Sequence, residues 1–375
     1  MKRNIKKTIV LAGVSLISVL PIFAADTQMD RSWMLGPFAR PADAAPVISP
    51  STNLIFDCPM NQQPIKWAEL HTFNPAAIVK DGQVCVLFRA EDATGDMKIG
   101  GHTSRIGLAK SEDGLHFVIQ PVPVLFPAND NQKTNEWTGG CEDPRIVETE
   151  DGKYVMTYTE FSRNDKHRLA QLAVATSPDL IHWTKHGPAF EKLGGDSFRG
   201  KWSKSGSILT HLVNGRLLAL KHLGKYWMYW GEGEVRLASS SDLIHWVPGP
   251  VVLKTRINKF DSALVEAGPP AVMTDRGIVL IYNGKNASKN GDDNLKPGAY
   301  SGGQALFDSA NPTKLLARTG TPFYRPEKSF EVTGQYGAGT TFLEGLVAFH
   351  GQWLMYYGCA DSYVAVALGD MQEAK

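Results

Sequence analysis

The chain has 375 residues, with 39 Lys+Arg against 38 Asp+Glu and 43% hydrophobic residues. That length can bury a large core, and so even a charge balance carries neither the basic footprint of a nucleic-acid binder nor a basic run for membrane lipid. Cys58, Cys85, Cys141 and Cys359 are too widely spaced for a zinc site, so no metal or other cofactor is expected; buried thiols are the simplest reading, with one disulfide open if the protein is exported.

The first element is a leader. Lys2, Arg3, Lys6 and Lys7 precede an apolar run from Thr8 to Phe23 that ends in Ala24-Ala25. This is the charged, apolar and small-residue order of a secretory signal peptide, and the run is short for a membrane span. The expected organisation is a signal peptide over 1–25 and a single domain over 26–375, periplasmic or secreted, with no membrane contact after cleavage. Taking the four basic residues from 39 leaves 35 Lys+Arg against 38 Asp+Glu, a net charge of −3.

Beyond the leader, one phrase recurs five times at the end of a short apolar strand. It reads GLAKSEDGLHF from Gly107, LAVATSPDLIHW from Leu172 and VRLASSSDLIHW from Val235, then ALFDSANPTKLL from Ala305 and VAVALGD from Val364. Repeats of short strands in steps of about 60 to 70 residues point to propeller blades. Upstream of each phrase lies a second strand that opens on a turn glycine: GQVCVLFRAED, GKYVMTYTEFS, GRLLALKH, RGIVLIYNG and GQWLMYYGCADS. A first strand precedes each of these, beginning near Asn74, Glu142, Lys204, Gly268 and Glu344. Asp81-Gly82, Asp151-Gly152 and Asn214-Gly215 supply hairpin turns between first and second strands. The expected fold is therefore all-β, a five-bladed β-propeller with an axial active-site funnel. No outer strand follows Val364–Asp370, so the segment around Asn53–Cys58 is expected to supply it and close the ring. His182 and His245, with the Trp beside each, read as structural parts of the blade edge.

Function is expected where first strands begin and second strands end, because those ends face the funnel. Asn74, Glu142-Asp143, Lys204, Glu266 and Glu344 lead the first strands; Arg89, Glu91, Asp92, Glu160, Glu232 and Asp361 end the second strands or follow them. A structural axis would be lined by small or apolar groups. Carboxylates converging with arginine and aromatic rings suit a sugar, and two carboxyl groups across a scissile bond are the apparatus of glycoside hydrolysis.

The segments FNPAAIV, LFRAEDATGD, SRIGLAKSEDG, GGCEDPRIVE, SKSGSIL, VEAGPPAVM, GQALFDSANPTKLLART and GCADS resemble those of glycoside hydrolase family 130, from about Gly36 to Leu368. That family comprises mannoside phosphorylases and mannosidases on five-bladed propellers. The resemblance implies that Asp143 is the general acid, acting through a hydroxyl of the bound mannose. It also places Asn74, Arg89, Glu91, Arg105 and Asp361 around the non-reducing mannose of an oligosaccharide partner. The implied reaction inverts the anomeric centre, with phosphate as nucleophile in the phosphorylases and water in the hydrolases. In the hydrolases the two carboxyl groups lie about 6.5–9.5 Å apart.

Arg168 and Lys204 stand where phosphate ligands are expected. Two departures argue against phosphate: the phosphorylase-like YHG reads YNG here, with Asn283, and the HRP triplet is absent, replaced by KYWMYWGEGEVRL. Glu232 or Glu266 would repel phosphate but could activate water. The expected activity is removal of β-linked mannose, β-1,2 by resemblance, by an exported hydrolase. A phosphorylase using inorganic phosphate is the alternative, and a non-catalytic sugar-binding propeller the second.

Overall fold

The computed structural model describes residues 31–164 and 167–371. The signal peptide expected over residues 1–25 lies outside them. From Trp33 onward the chain forms one compact unit, and its pairings group the strands into five antiparallel four-stranded meanders. Blade one comprises His71–Lys80, Gln83–Gly95, His102–Ser111 and Val118–Ile119. Blade two comprises Thr138–Glu148, Tyr154–Asn164, His167–Ser177 and Thr184–Pro188. Blade three runs from Gly206–Val213 through Lys225–Trp230 and Val235–Ser240 to Trp246–Leu253. Blade four has a split inner strand, Leu264–Ala267 with Ala271–Thr274, followed by Gly277–Lys285, Tyr300–Phe307 and Leu315–Arg318. Blade five comprises Thr341–Phe349, Gln352–Cys359 and Tyr363–Asp370.

The apolar second strands follow from this packing. Each lies between two neighbouring blades and feeds a core on both faces, so both alternate sets must be hydrophobic. Along Gln83–Gly95, Val84, Val86, Phe88 and Ala90 enter the core shared with blade five, whereas Cys85 and Leu87 enter the core shared with blade two. Five such cores occupy the five blade-to-blade seams. All four cysteines are buried and unpaired.

The repeated phrase is a corner clamp. In each of three blades one carboxylate (Asp113, Asp179 or Asp242) accepts two backbone N–H groups and faces a histidine Nδ1 at 2.7–2.8 Å. The residue after that aspartate takes the left-handed conformation: Gly114, Leu180 and Leu243. His182 and His245 are thus structural, and Trp246 is fully buried in the seam between blades two and three. Trp246→Ala is expected to cost about 3–5 kcal/mol, read as a lower urea midpoint without a change in the slope of unfolding.

Two expectations are corrected. The strand that closes blade five is Phe38–Ala39, paired with Leu368–Gly369. Ser51–Cys58 instead pairs with Gln63–Ala68 as a separate hairpin, because Phe56, Ile65 and Trp67 are needed to cover the seam between blades five and one. Trp67 stacks on Phe88 and donates to the Pro121 carbonyl at 3.0 Å. In blade three, GRLLALKH is not the second strand. Arg216–Ala219 pairs with Thr210–Val213, the later half of the first strand, and at Leu218 with Glu148 of blade two, while Lys225–Trp230 takes Gly206–Ile208, the earlier part.

Candidate active site

A cavity of about 350 Å³ opens at the funnel, lined by residues from all five blades. It gathers Asn74, Arg89, Glu91, Glu142, Asp143, Arg168, Lys204, Glu232, Glu266 and Asp361, ten of the fourteen residues expected from the sequence. The local device that aims several of them is a break in the strand register. The pairing of blade one shifts between Phe73 and Pro75, and that of blade two between Glu142 and Arg145. Asn74 and Asp143 sit in those shifts at φ 49°. A bulge turns one side chain out of the strand alternation, and Asn and Asp tolerate the left-handed region better than most residues. Asn74 is further fixed by Gly358: a Cβ there would lie 2.4 Å from the Asn74 Oδ1.

Arg105 does not belong to the site. It is opposite Ala90, whereas Ser104 is opposite Glu91, and the period of two sends the pair to opposite faces. Arg105 is buried against the hairpin, paired with Asp92 at 2.6 Å and 3.5 Å from the Cys58 sulfur. Ser104 takes the face toward the site instead; its hydroxyl lies within hydrogen-bond distance of Glu91 and Arg89. Asp92, Glu160 and Glu344 also stay out of the cavity lining. Glu344 lies buried behind it, 2.9 Å from Arg145.

The charges are tightly knit. Arg89 contacts Glu91 at 2.6 Å, Glu142 at 2.9 Å and Asp143 at 3.1 Å. Lys204 reaches Asp143 at 2.9 Å and Glu142 at 3.5 Å, and the Asn74 amide donates to Asp143 at 2.8 Å. Burial alone would raise the Asp143 carboxyl, but Lys204, Arg89 and Asn74 override it and hold it well below the usual carboxylate range. Its neighbour Glu142 moves the other way, raised by burial despite Arg89 and Lys204, with Asp143's charge adding to the rise. Glu91 stays below its usual value, since Arg89 and Gln335 outweigh its burial.

On another wall Glu266 is buried, and the Ser205 hydroxyl donates to it. Burial first, then the charge of Glu232, pushes it up to about 7, against Lys204 and Arg145. Glu232 is exposed and takes a hydrogen bond from the Trp202 indole at 2.9 Å. Burial likewise raises Asp361 to about 7, opposed by Arg89 and assisted by Glu91 and Asp143.

Phe73, Phe161, Trp202, Tyr300, Tyr336 and Phe342 supply aromatic faces, as sugar rings require. Arg168, exposed, donates to the Gly100 carbonyl at 3.0 Å and lies over Phe161. Asn283 is not in the lining: its amide donates to the Leu343 carbonyl and accepts the Leu343 N–H, joining blade four to blade five. Gln335, Tyr336 and Tyr300 were invisible as site residues, since two lie between strands and none sits in a recurring phrase. Among the described residues, His71, Glu91 and His102 form the one group of three side chains with the donors and spacing to hold a cation.

The profile of glycoside hydrolase family 130, described as β-1,4-mannooligosaccharide phosphorylase, matches residues 39–374. The chain belongs to this family. A curated relative within it is a 1,2-β-oligomannan phosphorylase from Thermoanaerobacter sp. (strain X514), 32% identical over 83% of this chain and 93% of its own length. A solved glycosyl hydrolase from Bacteroides ovatus is 50% identical, with a TM-score of 0.87, covering 90% of this chain and 95% of its own. A further solved structure, also 50% identical with a TM-score of 0.87 over 90% and 95% of the two chains, is described in other terms. That description states that family 130 mannoside phosphorylases contain glycoside hydrolases targeting β-1,2 mannosidic linkages in Candida mannan.

Proposed function

We propose that this family 130 protein is an inverting β-mannosidase that hydrolyses β-1,2-linked mannosides, exported by its Lys2–Ala25 leader. The observation that carries the choice of water over phosphate is the second carboxyl pair. Six carboxyl groups (Glu91, Glu142, Asp143, Glu232, Glu266 and Asp361) line the cavity with four cations, Arg89, Arg168, Lys204 and Lys285. Arg89 and Lys204 are already engaged by Glu91, Glu142 and Asp143. A phosphate dianion entering this cavity would meet Glu232 and Glu266, with Arg168 and Lys285 left to balance its charge. Asn283, where the resemblance places a phosphate-binding histidine, has its amide occupied by the backbone of Leu343.

In this reading Asp143 delivers a proton to the glycosidic oxygen through a mannose hydroxyl. Because Lys204 and Arg89 keep it charged in the resting site, it takes up that proton only with sugar in the funnel. There the sugar displaces solvent from beside the carboxyl, and a buried charge is costlier. Glu266 is the base that activates water, with Glu232 tuning it, and the aromatic faces with Arg89 and Glu91 hold the non-reducing mannose. The description of the 50% identical structure speaks for hydrolysis.

Phosphorolysis is the second reading. It is favoured by the curated phosphorylase relative and by Arg168 and Lys204 on the cavity wall. The deciding experiment is turnover of β-1,2-mannobiose with and without inorganic phosphate, products separated by chromatography. Hydrolysis predicts mannose at equal rates in both buffers. Mannose 1-phosphate formed only when phosphate is present would replace this reading with the second.

A further inference from the structure

Three strands of blade one bring together donors that no sequence spacing announces. His71 opens the first strand, Glu91 lies directly opposite it on the second, and His102 opens the third. One ligand atom from each lies within 4.8 Å of the others. The imidazole rings meet edge to face at 5.6 Å. His102 is only 3% exposed, yet its Nδ1 has no hydrogen-bond partner among the described residues. A buried ring nitrogen left unpaired is costly and asks for an explanation.

We propose that His71, Glu91 and His102 bind a borderline divalent transition cation of the Zn²⁺ type. Two imidazoles and one carboxylate match the donors such ions prefer, whereas Mg²⁺ and Ca²⁺ prefer oxygen alone. Around a tetrahedral ion the three donors would stand roughly 3.3 Å apart, within reach of small side-chain rotations from the observed spacing. Supporting contacts of the kind metal sites need are present. The Ser362 hydroxyl lies 3.0 Å from His71 Nδ1, leaving Nε2 for the ion, and is itself fixed by the Gln335 N–H at 3.0 Å. Glu91 keeps Oε1 for Arg89 and Ser104, while Oε2, bonded to the Gln335 amide at 3.1 Å, is the oxygen available for exchange. The fourth position would hold water. The site lies beside the sugar cavity, of which Glu91 and Gln335 are also walls, and it stands whether the enzyme hydrolyses or phosphorolyses its substrate.

The test is isothermal titration of tag-free mature protein, stripped with chelator, with Zn²⁺ and separately with Mg²⁺. One saturable Zn²⁺ site and no Mg²⁺ binding are expected. His102→Ala and His71→Ala should each weaken Zn²⁺ by at least about tenfold, the loss that even outer-sphere changes cause. His116→Ala, at an exposed blade corner, should leave it unchanged. If His102→Ala fails to fold by circular dichroism, His71→Ala carries the comparison, and Co²⁺ absorption of the parent protein reports nitrogen ligation directly. Absence of saturable Zn²⁺ binding, or binding that survives in the folded histidine variants, overturns the site.

Discussion

Asp143→Asn is expected to lower kcat on β-1,2-mannobiose by about 10²–10⁴-fold, the usual worth of general acid catalysis, with KM changed far less. The amide preserves the shape that Asn74 and Arg89 surround but cannot give up a proton. The loss should depend on the leaving group. A mannoside whose aglycone leaves readily as an anion needs no proton, so its rate should fall much less. The neighbouring Glu142 makes the experiment sharp. It shares Arg89 and Lys204 with Asp143, and of the two carboxyls it is the one raised. Glu142→Gln should therefore lower turnover similarly for good and poor leaving groups, as a change in the acid's surroundings would. If Glu142→Gln shows the leaving-group dependence and Asp143→Asn does not, the acid moves one residue along the chain. If neither does, acid catalysis from this strand is wrong. Substrate binding that survives in a protein with no turnover to lose would leave the sugar-binding propeller.

How much of this was legible in the sequence depends on how each residue is aimed. Asn74, Asp143, Lys204 and Glu266 announce themselves because each stands just before the apolar stretch of a first strand, where the repeat itself marks the funnel. Arg105 failed for a physical reason: it lies one residue from Ser104, and in a strand one residue is the difference between two faces. Gln335 and Tyr336 precede the first strand of blade five, in a stretch with no strand alternation from which to read a direction. The His71–Glu91–His102 cluster spans three strands at separations of 20 and 11 residues, so only the antiparallel register reveals it. The closing strand was misplaced for a related reason. The alternation of Ser51–Cys58 marks a strand but not its partner, and Phe38–Ala39 is too short to register as one.

The base should declare itself through pH. Glu266 must be ionised to accept a proton from water, and burial together with Glu232 pushes its pKa up to about 7. kcat should then fall about tenfold per unit as pH drops below that range, since kcat follows the titration of the substrate complex, in which Asp143 holds its proton. Glu232→Gln removes the repelling charge while leaving the buried carboxyl, so it should shift the acid limb to lower pH and retain substantial activity. Glu266→Gln should cost about 10²–10⁴-fold and remove the limb from whatever activity remains. Azide, a nucleophile that needs no base, should partly restore Glu266→Gln and yield the inverted mannosyl azide. Azide rescue of Glu232→Gln instead would exchange the two roles and leave Glu266 as the tuning charge. A limb near pH 7 that persists in Glu266→Gln would assign it to Asp361, which burial places in the same range; Asp361→Asn should then abolish it. In a phosphorylase neither glutamate variant should show azide rescue. This experiment therefore tests the choice of nucleophile independently of the phosphate dependence.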